Sequence, residues 1–180
     1  KLIEENFAGE DIVICANLPY YITSPVIMKL LEEKTKAKSI TVMVQREAAD
    51  RLCAGPGCRQ GGAITVAVSY YAEAKKLFYV PASSFYPAPK VDSAVIKLDI
   101  YDKPPISVMS ENMLFRVIKA GFLQRRKTLI NSLSSGLGLP KEKLTMVLSA
   151  AGVSESVRAE RLTLKEFALI SDELIKCGIA

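Results

Sequence analysis

The sequence predicts an α/β portion followed by a small all-α portion, with the break near residue 103. Two strand-length apolar runs, each leading straight into a helix signal, predict the first part. A Pro-Pro linker with only helical periodicity beyond it predicts the second.

The elements follow in order. The run Asp11 to Ala16 has the pattern of a strand buried on both faces. It stops at Asn17-Leu18-Pro19-Tyr20, where Pro19 cannot donate to a ladder and forces a turn. Thr23 or Ser24 is placed to cap a helix that has Pro25 in its first turn and Ile27, Leu30 and Leu31 as its apolar stripe. A second strand, Ser39 to Val44, ends at Gln45-Arg46-Glu47, and another helix runs from Glu47 to Cys53. That rhythm is the one of a parallel α/β sheet. Gly55 to Gly62 is a loop by composition. Ala63 to Ala72 is rich enough in Val and Tyr for a strand, but the alternation wants a helix there, and helix is the choice. Lys75 to Val80 reads as a strand, Pro81 to Pro89 as a loop, and Val91 to Leu98 as an edge or antiparallel strand.

Asp102-Lys103-Pro104-Pro105 is the linker. Beyond it, Leu114, Val117, Ile118, Gly121 and Phe122 share one helical face. Leu129, Ile130 and Leu133 lie on a second helix ended by Gly136 and Gly138, and Leu144, Val147 and Leu148 mark a third. Thr163-Leu164-Lys165-Glu166 is a capping-box pattern opening a last helix that runs to about Lys176.

Composition narrows the chemistry. The chain has 180 residues, 49% hydrophobic and 24% charged. It contains no apolar run of about 18 residues, the length that marks a membrane span. The first residues lack a secretory core, and there is no initiator Met, so the chain reads as beginning partway into a gene product. Its four cysteines form no CxxC pair and it has no His, so no metal site is expected and the cysteines read as reduced intracellular thiols. Lack of His also removes Ser-His-Asp and Cys-His catalysis. A net charge of +5 and a pI near 9.0 suit a polyanionic partner, though only mildly.

The informative residues are Asn17-Leu18-Pro19-Tyr20, because ligands of open α/β sheets collect at the carboxyl ends of strands. The Asn17 side-chain oxygen and the Leu18 carbonyl can accept hydrogen bonds from an amino group on a planar base. Pro19 stiffens the turn, and Tyr20 offers a ring for stacking. Such a grip suits methyl transfer to an adenine amino group, whose lone pair is delocalised into the ring. Two acceptors on its hydrogens favour a pyramidal nitrogen and stabilise the positive charge that grows as the methyl arrives. No strong base is needed at that step. Taken alone, the same four residues equally describe a plain turn after a strand.

Asn17-Leu18-Pro19-Tyr20-Tyr21-Ile22 resembles the catalytic loop of the 16S ribosomal RNA adenine dimethyltransferase family. Ser84-Phe85-Tyr86-Pro87-Ala88-Pro89-Lys90-Val91-Asp92-Ser93 is similar to that family's second signature loop, and Phe122 to Leu129, with Asn131 and Leu133, to its tail signature. Arg158-Ala159-Glu160-Arg161-Leu162 with Glu166-Phe167 resembles its closing helix. The resemblance implies the C-terminal part of a Rossmann-like, S-adenosylmethionine-dependent methyltransferase domain over 1–103 and a helical C-terminal domain over 104–180. It implies two adjacent adenosines of 16S rRNA in the 30S subunit as substrate, and a cytoplasmic place of action. Asn17 would contact both the target amino group and the methyl-bearing end of S-adenosylmethionine. Tyr20 would stack on one face of the flipped adenine and Phe85 would close the other, with core packing beside Pro87 as the alternative for Phe85. Lys90, Arg125, Arg126 and Lys127 would touch phosphates, with solvated surface charge as the alternative for each; Arg46 and Arg51 are weaker candidates.

The glycine-rich unit that opens a cofactor site in this fold class does not precede Asn17, since sixteen residues are too few for a βαβ unit of about 30. The expectation is an N-terminally truncated chain that binds the cofactor weakly, does not turn over, and is prone to a non-native dimer through uncovered sheet. Three other functions compete: a large-subunit rRNA adenine methyltransferase of the antibiotic-resistance type, a non-catalytic ribosome-assembly factor on the same scaffold, and a DNA adenine methyltransferase.

Overall fold

The computed structural model describes residues 7 and 10–179. They form two compact units, one of the described residues up to 53 with 71–104 and the other of residues 54–70 with 105–179. Residues 54–70, which the sequence reading left with the α/β part, group with the helices.

The first unit holds strands β1 (Ile12–Asn17), β2 (Ala37–Gln45), β3 (Ala72–Val80) and β4 (Ser93–Ile100). Their order is β1-β2-β4-β3, with β1 parallel to β2 and β4 antiparallel to both neighbours. Helix α1 (Thr23–Glu32) joins β1 to β2, and α2 (Arg46–Leu52) follows β2 directly. Val91–Leu98 was read as an edge or antiparallel strand. Antiparallel holds, but β4 is internal, with Ala94, Ile96 and Leu98 fully buried.

β1 departs from expectation. Its burial alternates, and Val13 is 65% exposed, so this strand is not buried on both faces. The reason is its edge position: β2 is its one partner among the described residues. Val13, Cys15 and Asn17 point to the open face, while Ile14 and Ala16 point with Ile40 and Val42 to the packed one. The β1–β2 register runs from Ile12 opposite Ala37 to Asn17 opposite Met43, with an irregularity that passes over Lys38.

Entry into α1 also differs. A 3-10 turn, Tyr20–Ile22, comes first, so neither Thr23 nor Ser24 caps the helix. The Thr23 hydroxyl instead donates back to the Pro19 carbonyl at 3.2 Å.

Helix α3 (Ala63–Tyr71), all but its last residue in the second unit, bears out the helix choice except at Ala72, which opens β3. The tail helices are α4 (Glu111–Gly121), α5 (Leu129–Leu137), α6 (Lys141–Ala150) and α7 (Leu164–Lys176). Their predicted stripes are the core: Leu114, Val117, Leu133, Leu144, Leu148 and Phe167 are at most 1% exposed. Thr163 and Glu166 form the reciprocal capping box at the start of α7. Gly138 ends α5 in the left-handed conformation, φ 68°. Gly136 does not end the helix but lies inside it, because α5 approaches α4 so closely that a Cβ there would come 2.6 Å from the Ala120 Cβ. No helix among the described residues is long and apolar enough to cross a membrane.

Candidate active site

At the carboxyl end of β1, six residues line one open recess of about 350 Å³: Asn17, Leu18, Pro19, Tyr20, Met43 and Phe85. All five residues read as catalytic from the sequence are among them. Strand β1 delivers Asn17 at its last position on the open face, with its carboxamide hydrogen-bonded to nothing among the described residues. Pro19 then turns the chain. Its own carbonyl is taken by the Ile22 N–H at 3.1 Å and the Thr23 hydroxyl, whereas the Leu18 carbonyl accepts none of the turn bonds among the described residues. Two free acceptors therefore stand at consecutive residues.

Tyr20 is half-buried, and its hydroxyl lies 2.6 Å from the Ser93 Oγ, which is fully buried at the start of β4. That bond pins the ring as a wall of the recess. Phe85 reaches the same recess from the loop between β3 and β4 and is half-buried, so it is not a core residue. Met43 forms part of the lining and was not foreseen. Its signal was available: it sits at the carboxyl end of the strand parallel to β1, opposite Asn17. Ser93 closes the second signature loop, but its tether to Tyr20 has no sequence signal.

Lys90 lines a neighbouring recess rather than this one. There Lys76 hydrogen-bonds Asp50 at 2.6 Å and holds its carboxyl below the usual carboxylate range, against an opposing contribution from burial. Nearby, burial pushes the Cys53 thiol up. Arg125, Arg126 and Lys127 belong to the second unit, exposed on the turn between α4 and α5, with no ion pair among the described residues. Arg51 pairs with Glu47 at 2.7 Å and Arg46 with Asp92 at 3.7 Å.

Among the described residues that line the site there is no carboxylate and no amine. Its equipment is two oxygen acceptors, an anchored aromatic ring, a second aromatic ring and a thioether. Such a set grips a planar heterocycle by an exocyclic N–H group and its π-faces.

A family model described as ribosomal RNA adenine dimethylase matches residues 2–176. A protein of Alkaliphilus oremlandii named ribosomal RNA small subunit methyltransferase A is 50% identical over 177 residues, 98% of this chain and 62% of its own length. One of the same name from Bacillus mycoides is 45% identical over 179 residues, 97% of this chain and 61% of its own length. The chain thus spans about three fifths of the length of these relatives. The crystal structure of a dimethyladenosine transferase from Plasmodium falciparum matches with a TM-score of 0.80 at 28% identity, covering 96% of this chain and 70% of that one. The 23S rRNA methyltransferase ErmE matches with a TM-score of 0.65 at 21% identity over 93% of this chain and 66% of its own, a likeness of fold.

Proposed function

Because this chain belongs to the ribosomal RNA adenine dimethylase family, we propose that its recess grips an adenine amino group for N6,N6-dimethylation of 16S rRNA. The substrate would be two adjacent adenosines of the small subunit. One observation carries the reading: Asn17, Leu18, Pro19, Tyr20 and Phe85, from two separate loops, line a single recess at a strand end. The Asn17 carboxamide oxygen and the Leu18 carbonyl accept the two amino hydrogens. The Tyr20 ring, held by Ser93, supports one face of the base, and Phe85 closes the other. As the nitrogen acquires a bond it acquires positive charge, and both acceptors bind that charge more strongly than they bind the neutral amine. The proton departs afterwards to solvent, which the openness of the site to water allows. Bound S-adenosylmethionine supplies the electrophilic methyl. Of the residues here, Asn17 would meet its methyl-bearing end, and the unengaged state of that carboxamide fits the task. None of the connections from a strand into a helix among the described residues carries a glycine-rich turn, so the remainder of a cofactor site has no counterpart among them.

The unit of residues up to 53 with 71–104 would then be part of the methyltransferase domain, and the unit that holds the tail helices, with residues 54–70, the helical domain. In this reading Lys90, Arg125, Arg126 and Lys127 meet rRNA phosphates, and the protein acts in the cytoplasm. The relatives' name supports the small subunit over the large. The test uses a protein of the relatives' full length carrying these residues, incubated with unmodified small-subunit particles and a tritiated methyl donor. Asn17→Ala should lower methyl incorporation by 100-fold or more while particle binding persists. Incorporation unchanged by Asn17→Ala would remove the carboxamide from the chemistry and favour a non-catalytic assembly role.

A further inference from the structure

Next to the Asn17 recess lies the larger one, about 460 Å³, bordered by Gln45, Arg46, Glu47, Asp50, Lys90 and Asp92 among others. The two are one step apart along three pieces of chain. On β2, Met43 borders the first and Gln45 the second, about 7 Å further along the strand. At the start of β4, Ser93 holds Tyr20 while Asp92, the residue before it, borders the second. The loop between β3 and β4 gives Phe85 to one and Lys90 to the other.

Arg46, which borders the second recess, is laid on an aromatic ring that stands behind it, outside the lining. The Arg46 guanidinium lies 4.8 Å from the centroid of the Tyr79 ring, and the Lys76 ammonium lies 4.6 Å from the same ring. Arg46 remains 56% exposed and Tyr79 46% exposed, so the pair adds little to a core. The nearby carboxylates are engaged by the protein itself. Glu47 pairs with Arg51 at 2.7 Å, and Asp50 takes hydrogen bonds from Lys76 at 2.6 Å and the Tyr79 hydroxyl at 3.2 Å. Asp92 accepts from the Ala82 N–H at 3.0 Å and faces Arg46 at 3.7 Å, beyond hydrogen-bond length. Lys90 has no ion pair among the described residues. The recess therefore offers one uncompensated ammonium and one loosely held guanidinium, and the exposed Tyr79 ring on which that guanidinium lies stands at its border.

Resting on the adenine reading of the first recess, we propose that the second is a subsite for the nucleotide adjoining the methylated adenosine. Its phosphate meets Arg46 and Lys90, and its base lies against the Arg46–Tyr79 stack. Guanidinium and phenol planes are the surfaces on which unpaired RNA bases stack. A base drawn out of its strand also needs its neighbour held in place, or the strand would follow it.

The experiment titrates this chain with a single-stranded oligoribonucleotide carrying 2-aminopurine at the target position or at a neighbouring one. Anisotropy reads affinity and quenching reads stacking. Arg46→Gln and Tyr79→Leu should each weaken binding roughly 3- to 10-fold, in the range of one stacking or phosphate contact. Both should relieve quenching of the neighbouring probe but not of the target probe. Tyr79→Phe should restore it, since the ring face remains, and Arg46→Gln should lower the salt slope by about 1. These residues are exposed, so circular dichroism should stay unchanged. If the target probe responds to Tyr20→Ala while the neighbouring probe ignores Arg46→Gln and Tyr79→Leu, the subsite is refuted and the adenine reading stands. If only the neighbouring probe responds, the subsite survives as an RNA contact and the adenine reading falls. Silence from both probes overturns both.

Discussion

Removing the Tyr20 hydroxyl should cost more stability than removing its partner. The bond to Ser93 is 2.6 Å long and joins a half-buried phenol to a fully buried serine. Tyr20→Phe forfeits the bond, about 1 kcal/mol net, and leaves the Ser93 hydroxyl buried without a side-chain partner, a penalty of about 1–3 kcal/mol. A total of about 2–4 kcal/mol is expected. Ser93→Ala forfeits the same bond, but the Tyr20 hydroxyl can turn to water, so its cost should stay near 1 kcal/mol. With both changes made, no orphan hydroxyl remains, and the double variant should match Ser93→Ala. Urea unfolding followed by circular dichroism, at unchanged m-value, reads all three. The same tether holds the ring at the recess, so Tyr20→Phe should also weaken quenching of a 2-aminopurine target probe. If Tyr20→Phe proves no costlier than Ser93→Ala, the Ser93 hydroxyl is satisfied elsewhere and the ring is not pinned by it.

In the helical unit, Gly136→Ala should destabilise by about 1–2 kcal/mol, since overpacking against the Ala120 Cα, 2.7 Å away, outweighs the better helix propensity of Ala. A raised thermal midpoint would contradict the close crossing. Thr163→Ala breaks the capping box on α7 and should cost about 1 kcal/mol in urea, whereas an unchanged midpoint would mean that Glu166 alone holds the turn. Alkylation at pH 8 with mass spectrometry should find exposed Cys15 and Cys177 modified first and Cys53 last, because burial raises the Cys53 thiol and keeps its thiolate scarce. Equal rates at the three cysteines would refute that account.

Much of the architecture was legible because it is written in period. The stripes Leu114-Val117-Ile118 and Leu144-Val147-Leu148 repeat at helical spacing and became the buried faces of α4 and α6. The Thr163–Glu166 box was read directly. What escaped depends on neighbours that the local sequence does not encode. An apolar run such as Ile12 to Ala16 cannot reveal whether its strand is central or at an edge. The internal place of β4 follows from the order β1-β2-β4-β3, not from its alternation. At the site, the residue types of Asn17, Leu18, Pro19, Tyr20 and Phe85 were legible as a motif, yet their convergence on one recess is tertiary. The resemblance groups Lys90 with the tail cations as phosphate contacts; what it does not give is the recess that Lys90 shares with Arg46, whose stacking on Tyr79 joins residues far apart in sequence.

The skipped Lys38 opposite the start of β1 has a consequence for the chemistry at the other end of that strand. Side chains flip sides at every step, so the direction of the Asn17 carboxamide is a matter of odd or even count from Val13. One residue more or fewer in that interval would turn the carboxamide to the side that Ile14 and Ala16 now face, the packed one. The slack in pairing falls ahead of Val13, where the count has not begun, so the strand can tolerate irregular spacing at its far end and none near the recess. Length, more than side-chain identity, is what those few residues must conserve.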